Sequence, residues 1–126
     1  MYSFQVLDHF EHPRNSGVLD HADATVQLEN PVCGDVLKLS ARVVEGKITE
    51  IKFLAQGCVP AIACGSALSE LVSGKALEQA SSISREDLER CLGGLPEASA
   101  HASHLALDAL AALLRTQKRP IQFGMS

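Results

Sequence analysis

The chain has 126 residues, of which 46% are hydrophobic and 21% charged, with 11 basic against 15 acidic side chains and a net charge of −4. That balance belongs to one globular domain rather than to a disordered chain, and it lacks the positive excess that binding to a phosphate backbone requires, so no nucleic-acid partner is expected. No apolar run approaches the roughly 20 residues of a membrane span, and residues 1–5 carry neither the basic nor the apolar part of a signal peptide; the expectation is a cytoplasmic protein with no membrane partner.

Taken in chain order, residues 3–12 place Phe4, Val6, Leu7 and Phe10 at helical spacing behind Ser3, a good N-cap, and Pro13 ends the run. Three alternating stretches follow, at 24–29, 35–44 and 47–55. Asn30-Pro31 separates the first two, Val36 hints at an irregularity in the second, and Glu45-Gly46 reads as a two-residue hairpin turn. From Pro60 to Val72 the period changes to that of a helix, stopped by Ser73-Gly74. Ser84 and Asp87 bracket the start of a short helix reaching about Cys91. After the Gly93-Gly94-Leu95-Pro96 break, residues 98–117 form a long alanine- and leucine-rich helix, and 118–126 a frayed tail. Strands first and helices after predict a single α+β domain over 1–126: a three-stranded antiparallel sheet with helices packed on one face.

Four cysteines, Cys33, Cys58, Cys64 and Cys91, are expected as thiols in a reducing compartment. In Cys33-Gly34-Asp35 an extended backbone points a thiol and a carboxylate to the same side. Cys58 lies where a strand hands over to a helix, and the free N–H groups and dipole of a first helical turn lower a thiol's pKa, making Cys58 the expected most reactive thiol. His101 opens the last helix, with His104 three residues on. Cys33, Asp35, Cys58 and His101 are thus four plausible ligands for one tetrahedral metal at an exposed rim. Spacing alone is a weak signal, because no Cys-x2-Cys pair anchors the set and a buried cysteine is commonly a small hydrophobe. Cys64, about 240° round the helix from Cys58, reads as packing, and Cys91 as structural. His9, His12 and His21 read as solvated, and His104 as solvated or capping.

The motifs together resemble the U-type iron–sulfur cluster assembly scaffolds: IscU, SufU and the N-terminal domain of NifU. Asp8-His9-Phe10-Glu11-His12-Pro13-Arg14-Asn15-Ser16-Gly17 is similar to the family's N-terminal signature. Asn30-Pro31-Val32-Cys33-Gly34-Asp35 resembles its first-cysteine motif, and Phe53 to Cys58 followed by Ala61-Ile62-Ala63 its second. Leu95-Pro96 and then His101 fit the frame of the third. The resemblance spans Leu7 to about Arg115 and implies the IscU-like α+β fold. It implies that Cys33, Cys58 and His101 act as ligands, with Asp35 keeping a cluster labile or completing zinc coordination. The implied cargo is a [2Fe–2S] cluster or Zn²⁺, held transiently; the implied partners are a cysteine desulfurase and iron–sulfur acceptor proteins, and the implied role is that of a carrier rather than an enzyme.

Three positions depart from the family. Ala102 stands where the third ligand cysteine follows the histidine, which removes a donor and a sulfur acceptor. Ser99 replaces a lysine in a loop that an Hsp70-type chaperone reads, which counts against that partner. Cys64 occupies a position where a small residue such as serine is usual. Two functions follow: a scaffold that assembles and passes on a cluster, or a divergent zinc-binding or metal-free accessory protein of the same machinery. Intact Cys33-Gly34-Asp35 and Gly57-Cys58 favour the scaffold.

Overall fold

The computed structural model describes residues 2–118. Its elements are α1 (Phe4–Glu11), β1 (Ala24–Asn30), β2 (Asp35–Val44), β3 (Lys47–Gln56), α2 (Val59–Val72), α3 (Leu77–Ser81), α4 (Arg85–Cys91) and α5 (Ala100–Lys118), the last preceded by a 3₁₀ turn over Glu97–Ser99. The strands form one antiparallel sheet in the order β1-β2-β3. Leu39 of β2 lies opposite Val26 of β1 and Phe53 of β3. Glu45 and Gly46, with φ of 52° and 78°, make the hairpin turn whose twist suits paired strands. The expected irregularity is displaced: pairing runs evenly through Val36, and the register shifts between Arg42 and Val43. Among the described residues, no helix is long and apolar enough to cross a membrane. Lys118 closes α5, and the rest of the expected frayed tail lies outside the described residues.

One face of the sheet presents Leu37, Leu39, Ala41, Ile51 and Phe53, all buried, to the helices. Burying each large side chain contributes about 1.5–3 kcal/mol. The helix against this face is α2, and much of what it buries is small: Ala61, Ala63, Cys64, Gly65, Ser66 and Ala67 are all buried, alongside Leu68 and Val72. Small side chains let it sit close to β3, and Gly65 marks the closest approach, since a Cβ there would come within 2.6 Å of the Phe53 ring. α5 lays Leu105, Ala109, Leu110 and Leu113 into the same core.

The N-terminal helix corrects two expectations. Ser3 caps it as expected, its oxygen accepting from the Val6 N–H at 3.0 Å. Its buried residues, however, are Val6 and His9, while Phe4 and Leu7 are exposed. His9 is therefore not solvated. The Arg14 N–H donates to Ser66 Oγ at 2.9 Å, and Ser66 Oγ lies 2.7 Å from His9 Nδ1. His9 Nδ1 and Ser66 Oγ share a hydrogen bond, and the other ring nitrogen, Nε2, faces Glu70 at 3.7 Å. A histidine can replace an apolar residue at a helix interface when both ring nitrogens have partners there, and those partners come from α2, more than 50 residues away. The short α3 was not legible either. Five residues carry no period, and the segment is held from outside: Ile48 N–H donates to Lys75 O at 2.8 Å and Leu77 N–H to Gly46 O at 2.9 Å.

Two predictions follow from this packing. Gly65→Ala should lower stability by about 1–3 kcal/mol in a denaturant titration, because the added methyl overpacks Phe53. Burial, with Arg14 nearby, pushes the His9 pKa down, while Glu70 and Asp8 oppose it. A histidine held neutral when folded binds its proton more readily when unfolded, so its contribution is complete above about pH 6.5 and is lost as the pH falls through that value. Melting temperature should drop across pH 7 to 5.5 in the wild-type chain. His9→Gln should lower it at pH 7.5 and flatten that drop.

Candidate metal centre

The first cysteine sits at the tip of the β1–β2 connection. Asn30 shapes this loop: its side-chain oxygen accepts from the N–H groups of Val32 at 3.0 Å and Cys33 at 3.4 Å, and its carbonyl accepts from Gly34 N–H at 2.7 Å. Gly34, at φ 77°, lets the chain turn back into β2. Cys33 is exposed, and Asp35, the first residue of β2, is 3% exposed. The connection between β3 and α2 brings the second cysteine. Cys58 is the N-cap of α2, half-buried, with Pro60 in the first turn. The third contribution comes from α5, where the 3₁₀ turn after Pro96 delivers His101 to the same place.

These four residues line one open cleft of about 470 Å³, walled by Tyr2, Gly57, Pro60, Ala98 and Ser99. Ligand atoms of Cys33, Asp35 and His101 all lie within 4.8 Å of one another. Cys58 Sγ is 3.4 Å from Asp35 Oδ2 and 3.8 Å from His101 Nε2, and His101 Nε2 is 3.5 Å from Asp35 Oδ2. Nitrogen, oxygen and sulfur donors at about 2.0–2.3 Å from a tetrahedral ion stand roughly 3.3–3.8 Å apart. The Cys58, Asp35 and His101 separations fall in that range, so these three donors fit a zinc-sized ion as they stand, with Cys33 on its exposed loop within 4.8 Å of Asp35 and His101. Two thiols with a carboxylate and an imidazole also suit iron, with fewer thiolates than the four that commonly hold a cluster.

The two oxygens of Asp35 are used differently. Oδ1 accepts from the Cys58 N–H at 3.2 Å, while Oδ2 faces the cleft between Cys58 and His101. The carboxylate on β2 thus satisfies the backbone N–H of the N-cap residue of α2. This arrangement reverses the expectation for Cys58. Burial pushes its thiol pKa up and the neighbouring Asp35 adds to the rise, with the backbone N–H groups of Ala61 and Cys58 itself offsetting only part of it. The helix start is present, but a half-buried sulfur beside a carboxylate does not favour thiolate.

The other cysteines stay outside. Cys64 is 0% exposed in the core, and burial pushes its pKa up to about 12. Cys91 is exposed at the end of α4. His104 is exposed, its Nε2 3.0 Å from Arg85 Nη1. Tyr2 had no signal in the sequence as a wall of this cleft, because it arrives by the docking of α1. Ala102 is buried at 1% exposure. In limited alkylation of metal-free protein at pH 8, Cys33 should be modified before Cys58, and Cys64 only on unfolding; peptide mapping by mass spectrometry reads the order.

The NifU-like N-terminal domain family matches residues 1–121. The chain is 44% identical over 110 residues to the iron–sulfur cluster assembly scaffold protein IscU 1 of Archaeoglobus fulgidus, covering 87% of this chain and 72% of that one. It is 41% identical over 121 residues to the scaffold protein IscU of Escherichia coli, covering 93% and 94%. The solved N-terminal structure of a NifU-like protein from Brucella abortus shares the fold with a TM-score of 0.77 at 17% identity, covering 94% of both chains. With three motifs in order, the same sheet-and-helix architecture and this extent of identity, the chain belongs to the NifU-like N-terminal domain family.

Proposed function

We propose that this protein is an iron–sulfur cluster assembly scaffold, working as one domain, that receives iron and sulfide at Cys33, Asp35, Cys58 and His101 and passes the cluster on. The observation that carries this reading is the meeting of these four donors, from three separate parts of the chain, at one open cleft. A resident structural metal is usually closed in by its ligands. Here one donor, Cys33, stands exposed on a loop and another, His101, is half-exposed, so the cargo is reachable from outside by both donor and acceptor proteins. Asp35 supplies a hard oxygen where a stable cluster prefers sulfur, which keeps the cargo exchangeable. The cargo is a [2Fe–2S] cluster, and Zn²⁺ is an ion the same donors accept. The sulfur source is a cysteine desulfurase and the recipients are apo-proteins in the cytoplasm; the protein itself turns over no substrate. Ser99, buried at the edge of the cleft, gives an Hsp70-type chaperone no cation to read.

Ala102 leaves the site one thiolate short of the family pattern. Ala102 follows His101 in the first turn of α5, and its own methyl is buried in the core rather than lining the cleft, so a sulfur there would sit behind His101 at the inner edge of the site. The test is anaerobic reconstitution with iron and sulfide, followed by visible absorbance under a chelator. The wild-type chain should form a short-lived cluster, Ala102→Cys a longer-lived one, and Cys33→Ala essentially none. Since loss of an outer hydrogen-bond partner already costs about 10–100-fold in metal affinity, Cys33→Ala should cost at least that for zinc. Stoichiometric zinc binding with no cluster in the wild-type chain would replace the scaffold with the accessory-protein reading, which Ala102 favours.

A further inference from the structure

Asp35 reaches the cleft by crossing the backbone of Gly57. Gly57 has φ 145°, and a Cβ built on it would overlap Asp35 Oδ1 and lie 2.7 Å from the carboxyl carbon and 3.1 Å from Asp35 Cβ. The overlap thus involves the whole side chain, down to its root. Asp35 is 3% exposed and its Oδ1 is tied to the Cys58 N–H, so the carboxylate cannot yield without leaving the position that aims Oδ2 at Cys58 and His101. By contrast, a Cβ on Gly34, which also flanks the site at positive φ, would meet nothing within 4 Å. The steric requirement is specific to the residue before Cys58.

We infer that Gly57 is a positioning residue for the metal centre: its missing side chain is the seat that holds the Asp35 carboxylate between Cys58 and His101. The inference rests on the assignment of Asp35 as a ligand, and it adds that Gly57 acts on the metal only through Asp35. Two consequences separate it from a simple demand for backbone freedom at positive φ. First, any substitution that adds a Cβ at 57 should reproduce the metal phenotype of losing Asp35. Second, that phenotype should vanish in a chain that has no carboxylate at 35, because nothing is then left to displace.

The experiment compares wild type, Gly57→Ala, Asp35→Ala and the double variant, with Zn²⁺ affinity measured by chelator competition, the d–d spectrum of the Co²⁺-substituted protein, and melting temperature. Gly57→Ala should weaken zinc binding about 10–100-fold, the size seen when the support of a ligand is removed. Its cobalt spectrum should match that of Asp35→Ala, and the double variant should bind zinc no worse than Asp35→Ala alone. Wild-type affinity in Gly57→Ala, or losses that add in the double variant, would overturn the inference while leaving Asp35 a ligand. Wild-type affinity in Asp35→Ala would instead remove Asp35 from the ligand set and the inference with it. Should Gly57→Ala melt the fold, Asp35→Ala in that background should restore melting temperature if the overlap is the cause; no recovery would assign the loss to backbone strain at φ 145° and overturn the inference.

Discussion

A carboxylate taken out of water must find donors, or the fold that buries it loses several kcal/mol. Asp35 is such a group, 97% removed from solvent at the first residue of β2, and its satisfaction ties the site together. The Cys58 N–H serves one oxygen, which joins the sheet to the N-terminus of α2. The other oxygen lies within 3.5 Å of both a thiol and an imidazole, which joins α2 to α5. The helix macrodipole helps, because an acceptor at a helix N-terminus meets partial positive charge. The group that organises the apo site is thus the one that offers a metal its oxygen.

The rest of the fold makes that meeting possible by bringing α2 close to everything else. The middle of α2, residues 61–67, is alanine, cysteine, glycine and serine apart from Ile62 and has little volume of its own, so β3, α1, α4 and α5 all approach the helix. Its buried hydroxyls would be a cost in an apolar core. They are matched by the N-terminal signature: Ser66 by His9 and the Arg14 backbone, Ser69 by Asn15 and the Arg14 carbonyl. Residues 8–17, which contribute no donor to the cleft, therefore fix the helix whose first residue follows Cys58. Asp8 pairs with the Arg14 side chain at 2.6 Å, and the Arg14 guanidinium holds the Asp8 carboxyl below its usual range; the pair steadies the turn after α1 from the surface, where ion pairs contribute little individually.

The sequence by itself determined what local physics determines. Period-2 alternation, a two-residue turn whose Gly46 accepts positive φ, and the Ser3 and Ser84 caps settle the three strands and four of the helices to within a few residues, because each depends on neighbours a few positions away. Cys33 and Asp35 come together as the sequence suggests, but through a turn with Gly34 at φ 77° rather than through an extended segment, and the resemblance of three ordered motifs supplied the association with Cys58 and His101. Tertiary structure decided the remainder. It buried His9, which no local rule distinguishes from the solvated His12, because its partner lies on α2. It raised the Cys58 thiol although the helix start predicts the opposite, because the sulfur is partly buried and a carboxylate from β2 lies beside it. It enclosed Ala102 and left Phe4 exposed. Each of these outcomes turns on a group distant along the chain, and burial, charge and hydrogen bonding act through space, where sequence separation carries no information.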